Sequence, residues 1–185
     1  MSEFIDKPIK KKNIKKITKQ RLKNIALYYL KRYESSVENL RQVLKRRTND
    51  YAFYNQYFDK KEAYTWIEEI LSDFERLKYL DDKRYTELKI QNYISAGKPV
   101  RYIKTKLQQK GIKTNMIEEI LSQKSIDPLE MALKLAKKKK IGPYRNSVDL
   151  QKTNRQKDIA TLIRAGFDYD IACEVVNKDF NDENI

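Results

Sequence analysis

The lysine and arginine residues of this 185-residue chain are its strongest candidates for binding a ligand, because they are concentrated in three blocks. The net charge is +7 over residues 1–23, +6 over residues 98–113 and +8 over residues 131–157. Residues 158–185 carry −5 instead. Cationic blocks of this density are the usual electrostatic footprint of proteins that bind nucleic acid or another polyanion. Solubility alone is the alternative explanation for the same charge.

Two of these blocks supply the candidate residues for contact with phosphates or acidic side chains. Pro99 suits the start of a helix in which Ile103 and Leu107 are buried, and the cations lie on its other side. A second cluster ends another helix, where the helix dipole also favours cations. The candidates are Lys98, Arg101, Lys104, Lys106, Lys137, Lys138, Lys139, Lys140 and Arg145. Arg101, Lys104 and Lys98 are predicted to share one side of the first helix.

Most enzyme classes are disfavoured by the composition. Histidine is absent and Cys173 is the single cysteine, which excludes Ser-His-Asp and Cys-His mechanisms and nearly excludes structural zinc. Adjacent acids occur at Asp81-Asp82 and in two Glu-Glu pairs, but neighbours on a helix do not face one site. We therefore predict no catalysis, no metal and no cofactor. Cys173 is predicted to be a packing residue of the last helix.

The same features predict where the protein works. No apolar run approaches the ~20 residues needed to span a bilayer, and the basic N-terminus is not followed by the apolar segment of a secretory signal. A single cysteine fits a reducing compartment. We expect a cytoplasmic monomer without a membrane partner.

The scarcity of turn residues indicates an all-α fold, since only 4 Gly and 4 Pro occur. Apolar residues at three- and four-residue spacing predict nine helices. Ser35 with Glu38 three residues later predicts a capping box for a second helix that runs to about Arg47. The aromatic segment 48–60 is either an extension of that helix or a packed loop.

An internal repeat organises these helices. The string Ile-Glu-Glu-Ile-Leu-Ser occurs at residues 67–72 and 117–122, an offset of 50. Residues 110–121 also match residues 165–176 at an offset of 55. We interpret the chain as three tandem three-helix repeats in an elongated, curved array. The predicted parts are a flexible basic arm at 1–17, repeats at 18–80 (with the aromatic insertion at 48–60), 81–125 and 126–178, and an acidic tail at 179–185.

Several segments, in this order and spacing, resemble the RecX family of regulatory proteins. The central segment is Leu80-Asp81-Asp82-Lys83-Arg84-Tyr85, and a second runs from Gly97 to Ile112 and includes Lys110-Gly111. Residues 26–36 and 162–168 resemble the first helix and the closing unit of the family. One position departs from the family, because Tyr102 stands directly before Ile103 where many members have arginine.

The resemblance implies three tandem three-helix units and binding to the RecA recombinase, especially to its filament on single-stranded DNA. It also implies modulation, usually inhibition, of the recombinase, ATPase and coprotease activities in recombination, DNA repair and the SOS response. The chain would meet single-stranded DNA directly or through the filament. The alternative is a basic helical DNA-binding protein that acts without a recombinase, since short helices with Gly turns also resemble helix-turn-helix units.

Overall fold

The computed structural model describes residues 15–178, and within that range all regular secondary structure is helical. It forms nine α-helices, one short 3₁₀ turn and no β-strand, so the predicted all-α class is confirmed for this part of the chain. The predicted basic arm up to residue 14 and the acidic tail lie outside the described residues. The helices are α1 (Lys19–Leu30), α2 (Val37–Tyr54), α3 (Lys60–Arg76), α4 (Asp82–Ser95), α5 (Val100–Gln108), α6 (Thr114–Ser122), α7 (Pro128–Lys139), α8 (Val148–Ala165) and α9 (Tyr169–Asn177), with the 3₁₀ turn at Gly142–Tyr144.

Polar side chains cap the start of several helices. The amide of Arg84 donates to the carboxylate of Asp81 at 3.0 Å, and the amide of Leu129 donates to Asp127 at 2.8 Å. Each bond satisfies an N–H group that has no partner inside its own helix. The cap of α2 is Ser36 rather than the predicted Ser35, because the Oγ of Ser36 accepts the amide of Asn39 at 3.2 Å.

Helix α2 is longer than predicted. It continues past Arg47 to Tyr54, so most of the aromatic segment is a helical extension. Thr48 is fully buried in this extension, and its hydroxyl donates to the carbonyl of Leu44 at 3.0 Å. The turn that follows ends at Asp59, whose carboxylate caps α3 by accepting the amide of Lys61 at 2.7 Å.

The described chain divides into two compact units. The first unit comprises residues 15–34 and 40–79, and the second comprises residues 35–39 and 80–178. In the first unit α1 contacts α3, and the buried face of α3 repeats at helical spacing through Ile67, Ile70, Leu71 and Phe74. This face contains the apolar residues of the first copy of the repeated string.

One hydrophobic cluster extends through the second unit. Helices α4, α5 and α6 contact one another, as do α7, α8 and α9. A single set of buried residues links both groups, from Tyr85 in α4 to Val176 in α9. The second copy of the repeated string contributes Ile117, Ile120 and Leu121 to this core.

The two copies of the string also place their first glutamate alike. Glu68 in α3 accepts a bidentate contact from Arg41 of α2, with N–O distances of 2.9 and 3.0 Å. Glu118 in α6 pairs with Lys104 of α5 at 2.9 Å. Each Glu thus binds a cation of the preceding helix. The curved array of three repeats and its boundaries stay a prediction.

Candidate basic interface

Helix α5 presents its cations because its apolar residues face the core. Pro99 has the extended conformation that precedes a helix, with φ −62° and ψ 153°. Ile103 and Leu107 are then fully buried on one side of the helix. Arg101, Lys104 and Lys106 lie on the other sides of the helix, which is how a nine-residue helix displays charge without burying it.

Tyr102 organises two of these cations. The Nζ of Lys98 lies 5.0 Å from the centroid of the Tyr102 ring, and the Nζ of Lys106 lies 5.8 Å from it. Ammonium groups at this distance are attracted by the negative face of an aromatic ring. We call Lys98, Tyr102 and Lys106 the Tyr102 cluster.

A second tyrosine holds the Tyr102 ring. The rings of Tyr93 and Tyr102 meet edge to face, with centroids 5.5 Å apart and an interplanar angle of 83°. Burial raises the pKa of Tyr93, and the neighbouring Tyr102 adds to the effect. Tyr93 therefore stays neutral at physiological pH and adds no negative charge to the cluster.

The grouping of the α5 cations differs from the prediction. Lys98 is grouped with Lys106 through Tyr102, whereas the ammonium of Lys104 is paired with Glu118 at 2.9 Å. Arg101 is exposed and forms no ion pair with any residue in the range 15–178. Positions 98, 102 and 106 are four residues apart, which places them on one side of the helix. This spacing predicts the Tyr102 cluster only when the tyrosine is considered together with the two lysines.

Lys137–Lys140, which we call the lysine run, is exposed along its whole length. Its first three residues form the last turn of α7, and Lys140 is the C-cap with φ 52°, in the left-handed region. No carboxylate among residues 15–178 pairs with these four lysines. The run is thus a dense group of cations available to a ligand, at a helix end that favours positive charge.

The structure argues against Arg145 as a partner-binding residue. Its guanidinium makes two contacts of 2.7 Å with the carboxylate of Asp158, and the amide of Gly142 donates to the same carboxylate at 2.8 Å. Asp158 is 1% exposed. Arg145 therefore neutralises a buried acid and joins α8 to the turn after α7.

The pKa of Asp158 reflects a balance of opposed effects. Burial alone raises the pKa of a carboxyl, but hydrogen bonds from Arg145 and from the Gly142 amide outweigh burial and hold the Asp158 pKa below its usual value. Asp158 is a structural residue that the sequence interpretation missed. Its only signal was an acid four residues before Leu162, on the buried face of α8.

The RecX-like motif residues form a clasp within the second unit. Asp82 accepts the amide of Val37 at 2.9 Å, and the hydroxyl of Ser36 donates to the carbonyl of Lys110 at 2.6 Å. The ammonium of Lys110 donates to the side-chain oxygen of Asn39 at 2.7 Å. Residues 35–39 are thereby tied to the first residue of α4 and to the turn after α5. Tyr85 is buried in the core and Arg84 is exposed at the start of α4.

Gly111 completes the clasp and gives a direct test of it. Its φ is +78°, and a Cβ at this position would lie 2.2 Å from the Cβ of Glu38. Gly111→Ala is therefore expected to lower the free energy of unfolding by about 2 kcal/mol or more, from backbone strain plus the clash. Urea unfolding followed by circular dichroism measures the change. Gln109→Ala, at an exposed neighbouring position, is the control, and equal stability of the two variants would contradict the clasp.

The amino-acid sequence is similar to curated RecX proteins over most of its length. A regulatory protein RecX of Myxococcus xanthus is 31% identical over 169 residues, which cover 90% of this chain and 90% of the relative. The chain belongs to the RecX family of regulatory proteins. A RecX of Streptococcus agalactiae serotype Ia is 32% identical over 173 residues, covering 91% of this chain but 60% of that longer relative. No protein-family model matches the chain.

A solved RecX structure supports the fold. The crystal structure of RecX from Lactobacillus salivarius superimposes with a TM-score of 0.58 at 24% identity, covering 85% of this chain and 94% of the other. The predicted membership of the RecX family is confirmed by the sequence relatives, and the crystal structure adds the likeness in fold. Within residues 15–178 no helix is long and apolar enough to cross a membrane.

Proposed function

We propose that this protein binds the RecA recombinase filament on single-stranded DNA and inhibits its recombinase, ATPase and coprotease activities. The observation that carries the proposal is membership of the RecX family together with a second unit that displays unpaired cations. The proposed contact residues are the Tyr102 cluster, Arg101 and the lysine run. We leave Arg145 out of this set because its guanidinium is paired with Asp158.

The arrangement of charge supports a polyanionic partner. Within the described second unit, Lys104 is matched by Glu118, whereas Lys98, Arg101 and Lys106 have no acidic partner. A phosphate backbone or acidic side chains on the filament would supply the missing negative charge. Many weak contacts of this type would bridge neighbouring recombinase subunits and hinder their rearrangement. Their sum would depend strongly on salt because phosphate contacts release counterions.

We propose a non-catalytic role. Among residues 15–178 no group of three or more Cys, Asp or Glu side chains is arranged to hold a metal ion. The acidic pairs noted in the sequence serve structure instead. Asp81 caps α4, Glu68 and Glu118 form ion pairs with Arg41 and Lys104, and Glu69 pairs with Lys19. The cytoplasm of a bacterial cell is the proposed location.

A strand-exchange and ATPase assay with RecA tests the proposal. The full chain at amounts stoichiometric with RecA is expected to slow both reactions, and the absence of any effect would overturn the proposal. Co-sedimentation with RecA filaments and with bare single-stranded DNA distinguishes the alternative. Stronger binding to filaments supports the recombinase as partner, whereas equal binding to both favours a DNA-binding protein that acts without it.

A further inference from the structure

Four exposed aromatic side chains of the first unit have no evident role in its core. Tyr57 is fully exposed, Phe53 is 79% exposed, Tyr28 is 59% exposed and Tyr54 is 52% exposed. Three of them come from the end of α2 and the turn after it, the segment whose purpose the sequence interpretation left open. Exposed apolar side chains that gather in one place mark a binding surface more often than isolated ones do.

These rings line two neighbouring open hollows, which together we call the aromatic groove. Its main part has a volume of about 1250 Å³ and is lined by Tyr28, Phe53 and Tyr54, among others. A smaller hollow lined by Tyr54 and Tyr57 adjoins it, since Tyr54 belongs to both walls. The main volume exceeds the roughly 300–1,000 Å³ of small-molecule pockets, so the shape suits an extended ligand.

The groove is also cationic. Lys15, Arg21 and Arg47 line its main part, against the single acid Asp50. Lys16 lines the smaller hollow. The guanidinium of Arg32 lies 4.3 Å from the centroid of the Tyr28 ring and adds a further positive charge beside the groove.

Arg21 has hydrogen-bonding capacity that the described chain does not use. Its Nε is buried and has no hydrogen-bond partner among residues 15–178. The Arg21 guanidinium makes no side-chain hydrogen bond or ion pair within the described chain, and it lines the groove, so its remaining N–H groups can donate to a ligand phosphate.

We propose that the aromatic groove binds single-stranded DNA, with bases stacked on Phe53, Tyr54 and Tyr57 and phosphates held by Arg21 and Arg47. Flat rings interleaved with cations are the arrangement that binds single strands without sequence preference. Duplex DNA hides its base faces and cannot stack on these rings. The proposal goes beyond recombinase binding, because it assigns DNA contact to the first unit and needs no RecA.

Fluorescence anisotropy of a labelled oligothymidylate, at low salt and without RecA, tests the site in the full chain. Phe53→Ala is expected to weaken binding by about 5- to 150-fold, the range for one stacked base. Phe53→Leu keeps the apolar volume but lacks the flat face, so it should weaken binding similarly, whereas Phe53→Trp should retain it. Tyr169→Ala, at a 62% exposed tyrosine in the second unit, is the matched control and should bind like the wild type.

Three outcomes would overturn the site. The first is wild-type affinity in both Phe53→Ala and Phe53→Leu, and the second is equal affinity of the wild type for a duplex of the same length. The third is spectroscopic, since Trp66 is the only tryptophan. In a Trp66→Phe background, the indole of Phe53→Trp should be quenched when the oligonucleotide saturates the protein, and an unchanged emission contradicts stacking. Since RecA is absent, each of these failures leaves the proposed recombinase function standing.

Discussion

Asp158→Ala is expected to lower the free energy of unfolding by about 2–4 kcal/mol, because it removes the buried carboxylate that accepts hydrogen bonds from the Arg145 guanidinium. The same change removes the acceptor of the Gly142 amide, whose hydrogen bond to Asp158 measures 2.8 Å. Urea unfolding at neutral pH measures the loss. Asp149→Ala is the matched control in the same helix, at an exposed first-turn position worth under about 1 kcal/mol.

A double-mutant cycle separates the interaction energy between Arg145 and Asp158 from the other effects of each substitution on stability. Arg145→Ala alone should destabilise by a similar amount, since it strands a buried carboxylate. The double variant Arg145→Ala/Asp158→Ala should cost clearly less than the sum of the two single changes. Additive losses would contradict the coupling that we infer from the two 2.7 Å contacts.

The pH dependence of the wild type follows from the lowered pKa of Asp158. A carboxyl whose pKa is lower in the folded than in the unfolded chain stabilises the fold fully above the unfolded value, near 3.8. That contribution is lost as the pH falls through the lower, folded pKa. The stability difference between wild type and Asp158→Ala should therefore be constant near neutral pH and shrink below about pH 4.

Replacing the lysine run by glutamine, at Lys137, Lys138, Lys139 and Lys140, is expected to weaken binding to RecA filaments steeply. If all four ammonium groups contact phosphates, the slope of log affinity against log salt should become less negative by about 3 to 4. Anisotropy titrations of labelled filaments over a series of salt concentrations measure this slope. The effect should be largest at low salt, where the counterion contribution is greatest.

A charge-matched variant makes this result specific. Glutamine at Lys23, Lys31, Lys60 and Lys61, which are exposed and lie outside the lysine run, removes the same net charge. Equal weakening by the two variants would show that net charge alone matters and would contradict a specific role for the lysine run. Lys140→Gly adds a folding control, because it removes one cation while relieving about 1 kcal/mol of left-handed backbone strain.

Much of the fold could be predicted because it is encoded locally. Capping residues such as Asp81 and Asp127 act within three residues of themselves, and apolar spacing marks the buried face of each helix. The end of α2 was not predicted, and this also has a physical reason. Helix α2 extends to Tyr54 because aromatic residues tolerate a helix even where their spacing obscures its stripe.

The candidate site was predicted less completely, since charge density does not reveal which cations are available. Lys104 and Arg145 looked equivalent to their neighbours, yet each is paired with an acid 13 or 14 residues away. Tyr102 looked like a departure from the family, yet it holds two lysines together. The acids that pair with Lys104 and Arg145 come from the next helix along the chain, which meets each cation only after folding.

Taken by itself, the sequence determined that the chain is helical, strongly basic in blocks and related to RecX, because each of these properties depends on residue order and type. Only the tertiary structure decided which positive charges remain for a partner. It placed Arg145 against the buried Asp158 and left the lysine run exposed. The physical reason is that a buried carboxylate must be neutralised where the packing puts it, whereas a cation at an open helix end can stay in water.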